Sequence, residues 1–95
     1  MNLTLRIKKV YFDAIANGSK KYEYRSDSDF YRKIFQRKSE FKTLTLHYQK
    51  PERLTCKIKN IKLIKNNLKG VDPSFFGTEK IFRIEIYEPI SWLKK

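Results

Sequence analysis

One short segment of this chain combines residue types and spacings that can do chemistry. Residues 18–25 read Gly-Ser-Lys-Lys-Tyr-Glu-Tyr-Arg, the pattern G-x-K-x-x-E-x-R. Glu23 and Arg25 lie two apart, so on an extended strand both point to one side and can share a polar pocket. Lys20 opens the segment, where the backbone is still turning and parity does not fix its direction. A lysine beside a carboxylate can clamp a phosphate, or act as a general base if burial lowers its pKa. The plainer reading makes Glu23 and Arg25 a surface charge set worth roughly a few tenths of a kcal/mol.

Other residues offer less. Arg6 and Lys8 sit on the polar face of an N-terminal strand and can line the same cleft, or stand as ordinary solvated side chains. His47 can serve as a general acid for RNA cleavage, although a lone exposed histidine more often does nothing. Tyr24 and Tyr48 can stack on a base, or belong to the core. Arg32, Lys33, Arg37 and Lys38 gather on one helix face that suits a phosphate backbone without reading bases. Cys56 reads as a small core residue. One cysteine and one histidine cannot complete a four-ligand zinc site, so neither a metal nor a cofactor is expected.

The elements that must position these groups follow from periodicity. Residues 2–8 alternate, with Leu3, Leu5 and Ile7 on one face, which predicts a strand. Residues 9–17 switch to four-residue spacing (Val10 with Ala14, Tyr11 with Ile15), and Gly18 ends that helix. Residues 20–25 form a tyrosine-rich strand with Lys20, Tyr22 and Tyr24 on one face and Lys21, Glu23 and Arg25 on the other. Ser26-Asp27-Ser28-Asp29 supplies cap oxygens for a second helix over 29–37, where Phe30 pairs with Ile34 and Tyr31 with Phe35. Leu44, Leu46 and Tyr48 mark a third strand, which Pro51 stops. Leu54, Cys56 and Ile58 face inward on a fourth, whose parity then changes to Ile61 and Leu63. Such a change needs one extra residue, so a β-bulge is expected near Lys59-Asn60. Residues 65–79 read as a long loop pinned by Phe75 and Phe76. The last strand, 80–88, buries Phe82, Ile84 and Ile86, with Ile90, Trp92 and Leu93 as a tuck beyond it. Five strands with two early helices suggest an α+β fold with a small curled sheet or barrel.

The 95 residues carry 22 Lys and Arg against 10 Asp and Glu, a net charge of +12. That length suits one domain spanning 1–95. Six Tyr, seven Phe and one Trp exclude a simple disordered chain. So large a positive excess concentrates polyanions at the surface, nucleic acid above all. No apolar run spans a bilayer, and residues 1–6 lack the apolar core of a secretory signal. A cytoplasmic monomer that avoids membranes is the expectation.

The order strand, helix, G-x-K-x-x-E-x-R, later strands and Phe76-Gly77-Thr78 before the last strand resembles the ASCH domain of the PUA-like superfamily. The likeness is to its small prokaryotic or phage members, and residues 3–25 carry most of it. It implies a small five- to six-stranded mixed β-barrel with two short helices, and a cleft lined by the Gly-Lys-Glu-Arg segment. Family members are proposed to bind RNA or act on nucleotides; some deacetylate N4-acetylcytidine and at least one looks like a ribonuclease. Lys20, Glu23 and Arg25 match the motif lysine, glutamate and arginine. In the deacetylating members a threonine stands where this chain has Glu23. The leading expectation is RNA or nucleotide binding through Lys20, Glu23, Arg25, Arg6 and Tyr48. The alternatives are a hydrolase with Lys20 as base and Glu23 as its acid/base partner, and a basic adaptor for an acidic protein surface.

Overall fold

The computed structural model describes residues 1–49, 51–66 and 80–93. In chain order the elements are strand β1 (Asn2–Arg6), helix α1 (Lys9–Ala16), β2 (Tyr22–Ser26), α2 (Asp29–Phe35), a 3-10 turn at Lys38–Glu40, β3 (Thr43–His47), β4 (Arg53–Lys65) and β5 (Lys80–Leu93). The strands form one mixed sheet in the order β1-β3-β4-β5-β2. Only β1 and β3 run parallel, and a parallel pair needs a long crossover; the helices and β2 provide it. The sheet curls into a half-barrel, as the period-2 strands with early helices led us to expect.

The alternating patterns bury the predicted faces. Leu3 and Leu5 of β1, Leu44 and Leu46 of β3, Leu54 and Cys56 of β4, and Phe82, Ile84 and Ile86 of β5 form one core with Phe12, Ile15 and Phe35 from the helices. Each such side chain fully removed from water contributes about 1.5–3 kcal/mol. Ile81 is also buried, outside that cluster.

The expected bulge is present. The β4–β5 register shifts between Ile58 and Asn60, and again between Thr55 and Cys56 and between Cys56 and Ile58. Three irregularities within six residues bend both long strands, which lets a sheet of only five strands curl. They also carry Pro89, which lies opposite Cys56.

Several expectations need correction. The last strand does not stop at 88 but runs on to Leu93, pairing Trp92 with Leu54 and Leu93 with Arg53. Ile90, Trp92 and Leu93 are exposed there instead of tucked in. Leu63 lies beyond the bulge at 39% exposure, so only Ile61 of that pair is buried. Helix α1 turns Phe12 and Ile15 inward and leaves Val10 65% exposed. Helix α2 does the same with Phe35 and Phe30, and it ends at Phe35, followed by the 3-10 turn. The loop expected to be pinned by Phe75 and Phe76 lies outside the described residues, as do Phe76-Gly77-Thr78. No helix among the described residues is long and apolar enough to cross a membrane.

Candidate functional site

Two local devices set the motif strand in place. Helix α1 ends through Gly18, whose φ of 84° is a left-handed conformation that glycine adopts without steric cost. The turn then folds back on the helix: the Ser19 N–H donates to Asn17 Oδ1 (2.9 Å), and Ser19 Oγ and the Lys20 N–H both donate to the Ala14 carbonyl. At the other end Ser28 caps α2 by accepting from the Tyr31 N–H. β2 is thereby held between two fixed helix ends, against β5 in the register Tyr22 to Glu85 and Ser26 to Ile81.

The period of 2 divides β2 into two chemistries. Glu23 is 5% exposed, the only buried charged residue among those described. Its Oε1 accepts from the Tyr24 N–H at 3.0 Å, and its Oε2 accepts from Arg25 Nη2 at 3.3 Å. Arg25 in turn donates from Nη1 to the Tyr31 hydroxyl (2.9 Å) and from Nη2 to the Arg6 carbonyl (2.9 Å). Arg6 ends β1 and Arg25 lies in β2, the two edge strands of the sheet. Among the described residues no ladder pairs these edges. The guanidinium of Arg25 therefore bridges the gap through which the half-barrel stays open.

That gap is a cleft of about 590 Å³, a size that suits a small ligand or one nucleotide unit. Arg6, Ile7, Lys8 and Lys9 line it where β1 runs into α1; Glu23, Tyr24, Arg25 and Ser26 line it from β2; Tyr31 enters from α2, and Tyr48 and Gln49 follow β3. The Tyr48 ring packs edge-on against Phe12 at 4.8 Å, and its hydroxyl donates to Glu52 Oε1 at 2.5 Å. Trp92 Nε1 donates to the other oxygen of Glu52 at 2.6 Å. These two donors hold the Glu52 carboxyl below the ordinary carboxylate range. Lys9 pairs with Asp13 at 2.7 Å, which raises its pKa, and its ammonium lies 5.9 Å from the Tyr48 ring centroid. Arg25 Nε is buried and has no hydrogen-bond partner.

Lys20 lies in the turn before β2, beside the face that carries Tyr22 and Tyr24. It lines a second, smaller depression with Ser19, Lys21, Tyr22 and Tyr24. Its ammonium lies 5.0 Å from the Tyr24 ring centroid and 5.4 Å from that of Tyr11, a cation–π arrangement. Burial lowers its pKa, with the charge of Glu23 opposing and that of Arg25 adding to the shift.

The structure thus gathers Glu23, Arg25, Arg6 and Tyr48 around one cleft and sets Lys20 apart on the tyrosine face. Lys8 joins the cleft. His47 lies in β3, opposite Arg6 and Arg53. The expected basic helix face is split: Arg32 and Lys33 lie on α2, whereas Arg37 and Lys38 fall beyond its end at the 3-10 turn, and Arg32 pairs with Asp27 and Arg37 with Glu40. Cys56 is buried, and burial pushes its thiol up to about 11. Sequence reasoning missed Tyr31, Lys9 and Gln49 as lining residues. Tyr31 stacks on Phe35 as its spacing predicts, and nothing in that spacing shows its hydroxyl meeting Arg25.

No protein-family model matches the chain, and comparison with curated proteins and with solved structures likewise yields no match.

Proposed function

We propose that the cleft between the two edge strands binds single-stranded RNA or a nucleotide. The observation that carries this reading is a hydrogen-bonded carboxylate, Glu23, at the base of a cleft rimmed by Arg6, Lys8 and Lys9 and walled by Tyr31 and Tyr48. Cations meet phosphate, aromatic faces meet bases, and an acceptor meets base donors; together these are the requirements of single-strand recognition. The net charge of +12 supports a polyanionic partner. The likeness of residues 3–25 to the ASCH domain points the same way, and kinship with that family is part of the proposal.

The geometry favours binding over hydrolysis. A Lys20–Glu23 acid/base pair would need both groups at one reacting atom, and they line different depressions. In this reading Arg25 holds Glu23 and bridges the edges, while Arg6 meets phosphate.

Fluorescence anisotropy of a labelled single-stranded RNA, titrated at several salt concentrations, tests the proposal. Saturable binding that weakens linearly in log[salt] is expected. Arg6→Ala should reduce the slope by about 0.7, the loss of one phosphate contact. The same RNA should run intact on a denaturing gel. Absence of salt-dependent binding would overturn the reading, and shortened RNA would replace it with a nuclease.

A further inference from the structure

Resting on the nucleotide-binding reading, we infer that the cleft selects guanine, through Glu23 accepting both N1–H and N2–H of the base. A carboxylate offers about four acceptor positions. In Glu23 each oxygen already accepts one protein donor, Tyr24 N–H at Oε1 and Arg25 Nη2 at Oε2. Each oxygen therefore keeps capacity for one further donor. The side chain is only 7% exposed, and the cleft is the depression that Glu23 lines, so a ligand reaching the carboxylate comes from there.

Guanine alone among the four standard bases presents two adjacent donors on its pairing edge. Adenine and cytosine each offer one amino donor beside a ring-nitrogen acceptor, and uracil offers one N–H between two carbonyls. Against a carboxylate these acceptors are repelled, which builds discrimination by mismatch as well as by fit. Three of the five N–H groups of Arg25 are engaged, one on Nη1 with the Tyr31 hydroxyl and two on Nη2 with the Arg6 carbonyl and Glu23, and its Nε is buried. The guanidinium fixes the carboxylate in place, which makes Arg25 a positioning residue for base readout.

The test uses fluorescein-labelled pentamers UUXUU, with X as guanine, inosine, adenine, cytosine or uracil, titrated by anisotropy against the wild-type protein. All five share the same phosphates. Guanine should bind roughly 5- to 150-fold more tightly than adenine, cytosine or uracil, the discrimination of one bidentate contact. Inosine, which lacks the N2 amino group, should fall between. Glu23→Gln places an amide donor against the base donors and should abolish the guanine preference, and the adenine pentamer, whose ring-nitrogen acceptor the carboxylate repels, should bind at least as tightly as to the wild type. Equal affinity for all five, or preference for another base, would overturn guanine selection and leave nucleotide binding standing. Failure of every pentamer to bind would overturn both. The wild-type panel decides the matter even if the variant fails to fold.

Discussion

Replacing Arg25 by methionine should cost this protein a large share of its stability. Methionine keeps the apolar stem of arginine, ends short of the guanidinium and has no donors. The substitution removes the 2.9 Å bonds to the Tyr31 hydroxyl and the Arg6 carbonyl, and the 3.3 Å contact with Glu23. Glu23 would keep only the Tyr24 N–H. Removing one member of a buried ion pair costs about 3–5 kcal/mol, chiefly because the other charge is left buried and unpaired. The Arg25 side chain is 15% exposed and its contact with Glu23 is long, which sets the cost near the lower end, about 3 kcal/mol. With a urea slope of about 1.5 kcal/mol/M, the unfolding midpoint should fall by about 2 M. A double-mutant cycle with Glu23→Gln isolates the cause. In the Glu23→Gln background no charge is stranded, so Arg25→Met should cost about 2 kcal/mol less than in the wild type. A loss below about 0.5 kcal/mol for Arg25→Met, or additivity within that margin, would refute the edge-bridging role.

Three further outcomes follow from separate features. Glu52 has a lowered folded-state pKa because Tyr48 and Trp92 donate to it, so on acidification the unfolded chain takes up this proton first. Its contribution to stability is whole above the unfolded value of about 4.3 and is lost as pH falls through the folded one; Tyr48→Phe should flatten the fall in Tm across that window, and an unchanged acid limb would contradict it. Gly18→Ala meets no atom within 4 Å, so its cost is backbone strain alone, about 1–2 kcal/mol, and Gly18→Asn should cost less in the same urea titration; equal costs would contradict the left-handed turn as the reason for glycine. The Cys56 thiol, raised by burial from 9.0 to about 11, should hold about 100-fold less thiolate at neutral pH; alkylation by iodoacetamide should be correspondingly slow until the chain unfolds, and prompt labelling of the folded protein would contradict its burial.

Local patterns made much of the fold legible. The alternation of Leu3, Leu5 and Ile7, the stop at Gly18 and the parity change beyond Ile58 each follow from a period that side-chain burial imposes, and the structure has a strand, a helix end and a bulge there. The shared face of Glu23 and Arg25 was legible for the same reason. What the patterns do not carry is which strand neighbours which. The parallel β1–β3 pair and the sheet order depend on how the whole chain packs, and the bridge from Arg25 to Arg6 spans 19 residues of sequence. The continuation of β5 through Pro89 was missed because proline ordinarily ends a central strand, whereas here it sits in the bulged stretch opposite Cys56. The inward helix faces stay open in the sequence, where the pairs holding exposed Val10 and Phe30 stand beside those holding buried Ile15 and Phe35. Helices of eight and seven residues are too short for spacing alone to fix the inward side. Lys20 was ambiguous from the start, since it lies in a turn, and its place on the tyrosine face is set by the fold of residues 17–20 onto α1.

The central claim is that the opening between β1 and β2 is where nucleic acid binds, and mapping amide chemical shifts on adding a short single-stranded RNA tests it most directly. The account predicts that the largest shifts fall on Arg6 to Lys9, Glu23 to Ser26, Tyr31, Tyr48 and Gln49, which surround the cleft. Shifts concentrated instead on Arg32, Lys33, Arg37 and Lys38, or absent from the spectrum at saturating RNA, would contradict it.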